Sequence, residues 1–247
     1  MLTLALGFLL VALLYSLVGF AGGSSYTAFL ALADYPYQDI VKISLICNII
    51  VSTGGVYHFW KKNLLNQKLT TPFILLSVPF AFMGGYVNVA EKSFYLMLGL
   101  VLVCVGLRLL SKKAPSNNRT ECPSVGISLV VGAILGALAG VVGIGGGIFL
   151  SPLIMSKSWG NVKEAASTAS VFILLNSIAG LLGQVSKDSE TEFFNQYFWL
   201  FIVVFLGGQL GSYLTTQKSF SDRYVKLGTA VLTLYVGTKV LVTKTYF

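Results

Sequence analysis

The sequence is short of charge. Of its 247 residues 11% are charged, against about 25% in a soluble globular domain. Its nine acids are Asp34, Asp39, Glu91, Glu121, Glu164, Asp188, Glu190, Glu192 and Asp222. All of them fall in polar loops or at the ends of apolar segments. Carriers driven by protons or sodium often keep an acid inside the membrane, and none is evident here. Histidine occurs once, as His58, and cysteine three times, as Cys47, Cys104 and Cys122, without paired spacing. Those counts argue against a disulfide framework, a zinc site, and hydrolytic or redox chemistry. Ten-residue alternating segments are absent, which argues against a β-barrel. The first lysine is Lys42, so no basic leader region is expected.

What is present is hydrocarbon. Hydrophobic residues make up 55% of the chain and mean hydropathy is +0.79. Long apolar runs recur from end to end, as in an all-α polytopic membrane protein embedded in a lipid bilayer. The net charge of +8 comes mostly from Lys and Arg at loops and segment ends. There they set orientation or snorkel, and they do not point to nucleic acid.

Eight segments follow one another: Leu2 to Ala33, Ile40–Trp60, Pro72–Ala90, Ser93–Leu110, Val125–Met155, Glu164–Gln184, Tyr197–Leu214 and Tyr224–Val242. The first and fifth are too long for one straight helix. About thirty residues of helix reach about 45 Å, against a hydrocarbon core of about 30 Å. Both are also broken by glycine: Gly19, Gly22 and Gly23 in one, Gly143, Gly145, Gly146 and Gly147 in the other. Each interior glycine costs about 1 kcal/mol in a helix relative to Ala. Non-helical backbone at membrane depth persists only where protein buries it or where it lines a cavity.

The halves read as copies. Gly19, Gly22 and Gly23 stand 124 residues before Gly143, Gly146 and Gly147, and the same offset pairs Ser44 with Thr168, Ser52 with Asn176 and Gly84 with Gly208. The expected division is a first membrane repeat over 1–110, a cytoplasmic linker over 111–123 and a second repeat over 124–247. Loop charge sets the relative orientation. Lys61, Lys62 and Lys68 follow the second segment, whereas Asp188, Glu190 and Glu192 follow the sixth. Basic loops lie in the cytoplasm, so equivalent loops are expected on opposite faces. The repeats are then inverted, and each broken segment is a re-entrant hairpin followed by three transmembrane helices. Both termini are expected outside and the linker inside. The alternative is eight simple spans with parallel halves.

A half-helix that starts inside the membrane presents unpaired N–H groups and about half a positive charge. Two such starts would bind a small anionic substrate without a buried Lys or Arg. The candidate site residues are Gly22, Gly23, Ser24 and Ser25 in the first half and Gly145, Gly146, Gly147, Ile148 and Phe149 in the second. Asn48, Ser52, Thr168, Asn176 and Ser177 are mid-segment polar groups that either line the path or bond between helices. Gln209 reads the same way. His58, Trp159 and Trp199 read as interfacial, and Lys42 and the Lys163–Glu164 pair as solvated helix ends. No cofactor or metal is indicated. An anion leaving a negative interior is already driven, by about 2.3 kcal/mol per charge per 100 mV.

The run GVVGIGGGIFLSPLI, followed by a polar loop and AASTAS (Ala165–Ser170), resembles the sulfite exporter TauE/SafE family of membrane transporters. LVGFAGGSSYTAFLAL (Leu17–Leu32) is similar to its first-half copy, with Ala21 where Gly145 stands in the second half. The resemblance covers the whole chain. It implies export of a small sulfur-containing anion, sulfite or an organosulfonate, across the bacterial inner membrane. A channel, a membrane enzyme and a non-catalytic membrane partner or assembly protein are the alternatives.

Overall fold

A computed structural model describes residues 2–17, 19–110, 122–187, 192–217 and 222–245. Most of the linker and of the expected acidic loop therefore lies outside the described residues. Ten helices are present among them: α1 (Leu2–Ser16), α2 (Gly23–Leu32), α3 (Tyr37–Lys61), α4 (Gln67–Tyr86), α5 (Glu91–Leu110), α6 (Val125–Val142), α7 (Gly147–Ser156), α8 (Val162–Lys187), α9 (Glu192–Gln217) and α10 (Asp222–Thr245). Five stretches within them are long and apolar enough to cross a membrane: α3, α4, α6, α8 and Tyr197–Leu214 of α9. The fold is that of an all-α polytopic membrane protein.

Some boundaries move. The third expected segment begins at Gln67 rather than Pro72, because the Asn66 side chain caps α4 by accepting from the Leu69 N–H. Pro72 and Pro79 then sit inside the helix. Interior proline is tolerated in membrane helices because neighbours re-satisfy the freed carbonyls. Lys68, expected in a loop, lies in the first turn of α4. Lys42, expected at a solvated end, is only 2% exposed.

Both long segments are broken, and both turn back on themselves. Phe8 of α1 packs on Tyr26 of α2, with ring centroids 4.7 Å apart, and Tyr15 bonds Ser25 at 2.7 Å. Residue numbers fall along α1 as they rise along α2, so the two run antiparallel. In the second half, a Cβ on Gly146 would meet the Leu135 carbonyl at 3.2 Å, so the chain after α6 has reversed. At about 1.5 Å per residue, α2 and α7 reach about 15 Å, half the hydrocarbon core.

The packing has a regular pattern. α4 lies along α6 and α1 along α9; α3 meets both α8 and α9, and α4 meets α8; α5 pairs with α10. Exchanging α1–α5 for α6–α10 maps these pairs onto one another. Glycine sets the close approaches. Gly132, Gly136 and Gly140 of α6 lie against the Phe73, Ser77 and Ala81 carbonyls of α4, so these helices run parallel. Gly55 meets Ser170 while Leu45 meets Gly180, so the equivalent helices α3 and α8 run antiparallel. The same holds for α5 and α10, where Gly99 meets Leu241 and Gly106 meets Leu234.

These directions define two faces. One carries the beginning of α1, the end of α10, Asp34, Asp39 and Glu91, and is called the terminus face. The other carries Lys61, Lys62, Lys68, Lys157, Lys163 and the ends of the linker, and is called the linker face. On the terminus face Lys244 reaches Asp34. On the linker face Glu164 ties two helix starts together. Its Oε1 accepts from Asn66 Nδ2 at 2.8 Å, and its Oε2 accepts from the Asn161 N–H at 2.9 Å. Asn161 Oδ1 in turn accepts from the Glu164 N–H, completing a reciprocal cap at the start of α8. Glu164 is thus a structural residue of that face.

Candidate helix-break site

The site begins with backbone that side chains would forbid. Gly19, Gly22, Gly143, Gly145 and Gly146 all have φ between 74° and 93°. A left-handed conformation costs an L residue about 1–2 kcal/mol. Gly22 and Gly146 are the N-caps of α2 and α7. Neither has a side chain to cap with. The Ser25 and Phe149 N–H groups turn back to the Gly22 and Gly146 carbonyls. That leaves the first amides, of Gly23 and Ser24 and of Gly147 and Ile148, without intrahelical partners. All four residues are buried. α2 runs from the breaks toward the terminus face and α7 toward the linker face. Their positive ends therefore converge at mid-depth.

Asn48 joins the two breaks. Its Nδ2 donates to the Gly143 carbonyl at 3.2 Å. A methyl on Gly23 would come within 2.5 Å of that same Nδ2 and 2.9 Å of the Ile144 carbonyl. A methyl on Gly145 would lie 3.1 Å from Asn48 Nδ2 and 3.3 Å from Ser177 Oγ. Ser44 donates to the Gly143 carbonyl at 2.8 Å, and Ser170 donates to the Gly19 carbonyl at 2.9 Å. These two bonds correspond in place, since Gly19 and Gly143 stand 124 residues apart at the two breaks. They bring Ser44 and Ser170, 126 residues apart, into corresponding places, two residues beyond the Thr168 that the common offset gives.

A small cavity of about 10 Å³ lies at the start of α2, lined among others by Tyr15, Gly22, Gly23, Ser24, Ile144 and Ile148. That is room for about one water. An oxyanion enters only if the surrounding helices part.

The sequence-derived residues divide into three groups. Gly22, Gly23, Ser24, Asn48, Gly145, Gly146, Gly147 and Ile148 meet at the breaks. Ser25 is held one layer away by Tyr15, and Phe149 is half-buried against the main apolar cluster. Ser52 bonds the Asn48 carbonyl of its own helix. Thr168 does not reach the breaks; its hydroxyl pairs with Thr70 of α4 at 2.8 Å. Asn176 is fully buried with both amide atoms unpaired. Gln209 donates to the Ile50 carbonyl at 3.1 Å and packs α9 against α3. Tyr15, Ser44 and Ser170 were missed. Tyr15 precedes the glycines by one helical turn, and that spacing was the available signal.

A polar basin of about 600 Å³ opens on the linker face between the α3–α4 and α7–α8 connections. Asn63, Asn66, Lys68, Asn161, Lys163 and Glu164 line it. Among the described residues no cluster of His, Cys, Asp and Glu is able to hold a metal ion.

Known proteins share this sequence. The chain is 33% identical over 242 residues to the probable membrane transporter protein y4hK of Sinorhizobium fredii, covering 96% of this chain and 97% of that one. It is 27% identical over 203 residues to the probable membrane transporter protein MJ0441 of Methanocaldococcus jannaschii, covering 78% and 75%. No solved structure matches. The pattern of the family described as sulfite exporter TauE/SafE matches residues 4–240, which takes in both helix breaks, α2 to α9 and most of α1 and α10. The chain is a membrane transporter and belongs to the sulfite exporter TauE/SafE family.

Proposed function

We propose that the protein exports a small sulfur-containing oxyanion, sulfite or an organosulfonate, through a site at the meeting point of α2 and α7. One observation carries this reading: two buried helix N-termini, each capped only by a left-handed glycine, converge from opposite faces at mid-depth. Such termini favour negative charge without a lysine. Ser24 and Tyr15 add hydroxyl donors on one side. The sulfur chemistry rests on the family's description, which names a sulfite exporter.

The two halves are read as an inverted duplication with boundaries near 1–110 and 124–247. Support comes from the exchange of packing pairs and from the antiparallel course of the equivalent pairs α3/α8 and α5/α10. Parallel duplication would make those pairs parallel. The excess of Lys on the linker face supports a cytoplasmic linker and external termini in a bacterial inner membrane.

The test is thermal stability of the purified protein against sulfite, sulfate, thiosulfate, sulfoacetate, taurine, acetate and chloride. A ligand that binds only the folded state raises stability by RT ln(1 + [L]/Kd). A selective rise with one sulfur oxyanion or sulfonate is expected. Equal behaviour of all seven would overturn the anion site.

A further inference from the structure

Six buried side-chain polar atoms among the described residues lack a hydrogen-bond partner: Tyr26 OH, Asn48 Oδ1, both amide atoms of Asn176, Ser177 Oγ and Gln184 Oε1. Their positions are not scattered. α8 starts at the linker face, passes the breaks near Ile173 and ends at the terminus face. Its hydroxyls on the linker side of the breaks are all paired: Ser167 with the Leu64 carbonyl, Thr168 with Thr70, Ser170 with the Gly19 carbonyl. Its buried polar groups beyond the breaks, Asn176, Ser177 and Gln184, all keep at least one atom unpaired while being no more than 4% exposed.

Ile173, Ser177, Gly180 and Gln184 fall on one helix face by their spacing of four, three and four. Ile173 borders the small cavity. Ser177 Oγ stands beside Gly145. Gly180 abuts Gly140, and Gln184 Nε2 reaches the Gly140 carbonyl at 3.5 Å, the long limit of a hydrogen bond. The face thus runs from the helix breaks to within one turn of Lys187. Buried polar groups without partners cost free energy. Water is the partner that satisfies them, and side chains that must bond water in turn line water-filled paths through membrane proteins.

We propose that this face of α8 is the outer half of the permeation route, a hydrated seam joining the helix breaks to the terminus face. Ser177 and Gln184 are its polar lining, Asn176 flanks it, and Gly180 keeps it narrow. The linker-side half is sealed by the paired serines and threonines. The permeant is a small hydrated oxyanion, which rests on the anion-transport reading above; the seam itself rests on the unpaired atoms.

Cysteine labelling in nanodiscs, where both faces are open, tests it. In a background carrying Cys47→Ala, Cys104→Ala and Cys122→Ala, Gln184→Cys and Ser177→Cys are exposed to an anionic, membrane-impermeant methanethiosulfonate. Leu182→Cys, on the lipid side at similar depth (57% exposed), and Thr168→Cys, in the sealed half, are the controls. Labelling of Gln184→Cys and Ser177→Cys at least tenfold faster than both controls is expected. Rates no faster than Leu182→Cys overturn the seam. Ser177→Cys is nearly isosteric, so it carries the test where Gln184→Cys fails to fold. A second arm is Gln184→Leu, for which anion flux falls about tenfold while the anion-induced stability shift persists, since the residue lies off the binding point. Unchanged flux overturns the role of Gln184. Absence of any anion-induced shift in the unmodified protein overturns the anion reading and leaves the labelling result to judge the seam alone.

Discussion

The two helix breaks have the same backbone and different chemistry. Gly22 and Gly146 both sit in the left-handed region at a half-helix start, and both starts are buried. Val11 faces Gly22 as Leu135 faces Gly146. The residues that follow diverge. α2 opens on Gly23, Ser24 and Ser25, with Tyr15 bonding the second serine; α7 opens on Gly147, Ile148 and Phe149. Asn48 has no counterpart in α8, where Leu174 stands at the equivalent place set by the Ser44–Ser170 pair. Both starts thus offer backbone amides, but only α2 carries hydroxyls, Ser24 and Ser25, in its first turn. On the proposed reading the symmetry resides in the dipoles, and Ser24, Tyr15 and Asn48 are the side chains available to discriminate between anions.

The largest effect that separates these roles is expected from the N-cap glycines. Gly146→Leu places a side chain at φ 74° with its Cβ 2.9 Å from Phe172. Gly22→Leu does the same at φ 93°, 2.7 Å from Val11. Each should lower anion flux about 100-fold, as misplacement of a binding group by about 1 Å does, with membrane insertion intact. Flux assays in vesicles decide; normal flux in either variant removes that half from the site.

Packing comes next. Gly132→Ala drives a methyl into the Phe73 carbonyl, which belongs to the backbone of α4 and cannot swing aside. Gly207→Ala meets the Leu9 carbonyl at 2.7 Å, a looser approach. Overpacking of this kind costs about 1–3 kcal/mol, and the α4–α6 variant should show the larger fall in thermal midpoint. An inverse order would mean that the α1–α9 interface is the tighter one.

Smaller still are the corresponding serine bonds. Ser44→Ala and Ser170→Ala each remove one hydrogen bond across the halves, worth about 0.6 kcal/mol on average in a membrane protein. Midpoint shifts should be small and similar. A much larger loss for Ser44 would show that its second acceptor, the Gly23 carbonyl at 3.2 Å, matters more than the symmetry.

The smallest effect belongs to Asp34, at the end of α2, whose carboxyl is held below its ordinary 3.8 by the hydrogen bond and charge of Lys244. A lowered folded-state value stabilises above the unfolded one and loses that contribution as pH falls through the folded one. The unmodified protein and Lys244→Met should therefore differ slightly at neutral pH and converge in midpoint below about pH 4. Convergence at neutral pH would mean that the exposed pair contributes nothing.

Much of this was legible beforehand. The apolar runs and their length exceed what one helix needs, and glycine clusters in a membrane segment leave few options; the hairpins over Leu2–Ala33 and Val125–Met155 followed from loop charge together with that excess length. Gly22, Gly145 and Gly146 stand out because left-handed backbone requires glycine, and Gly23 and Gly147 because a neighbouring chain approaches them too closely for a side chain. Thr168 was misplaced because a serine or threonine on a helix announces polarity and not direction; two residues of register decided whether it met α4 or the break. Lys42 was read as solvated because no pattern reveals which neighbours cover a helix end.

The sequence by itself determined the solvent and where the backbone had to break, since those depend on transfer free energy and on glycine's dihedral freedom, both local properties. Only the tertiary structure decided that the two breaks meet, that Asn48 bridges them, and that Ser44 and Ser170 each bond a carbonyl at the other half's break. Those facts depend on helix register and approach, which glycine contacts such as Gly132 on Phe73 and Gly180 on Gly140 set across residues far apart in the chain.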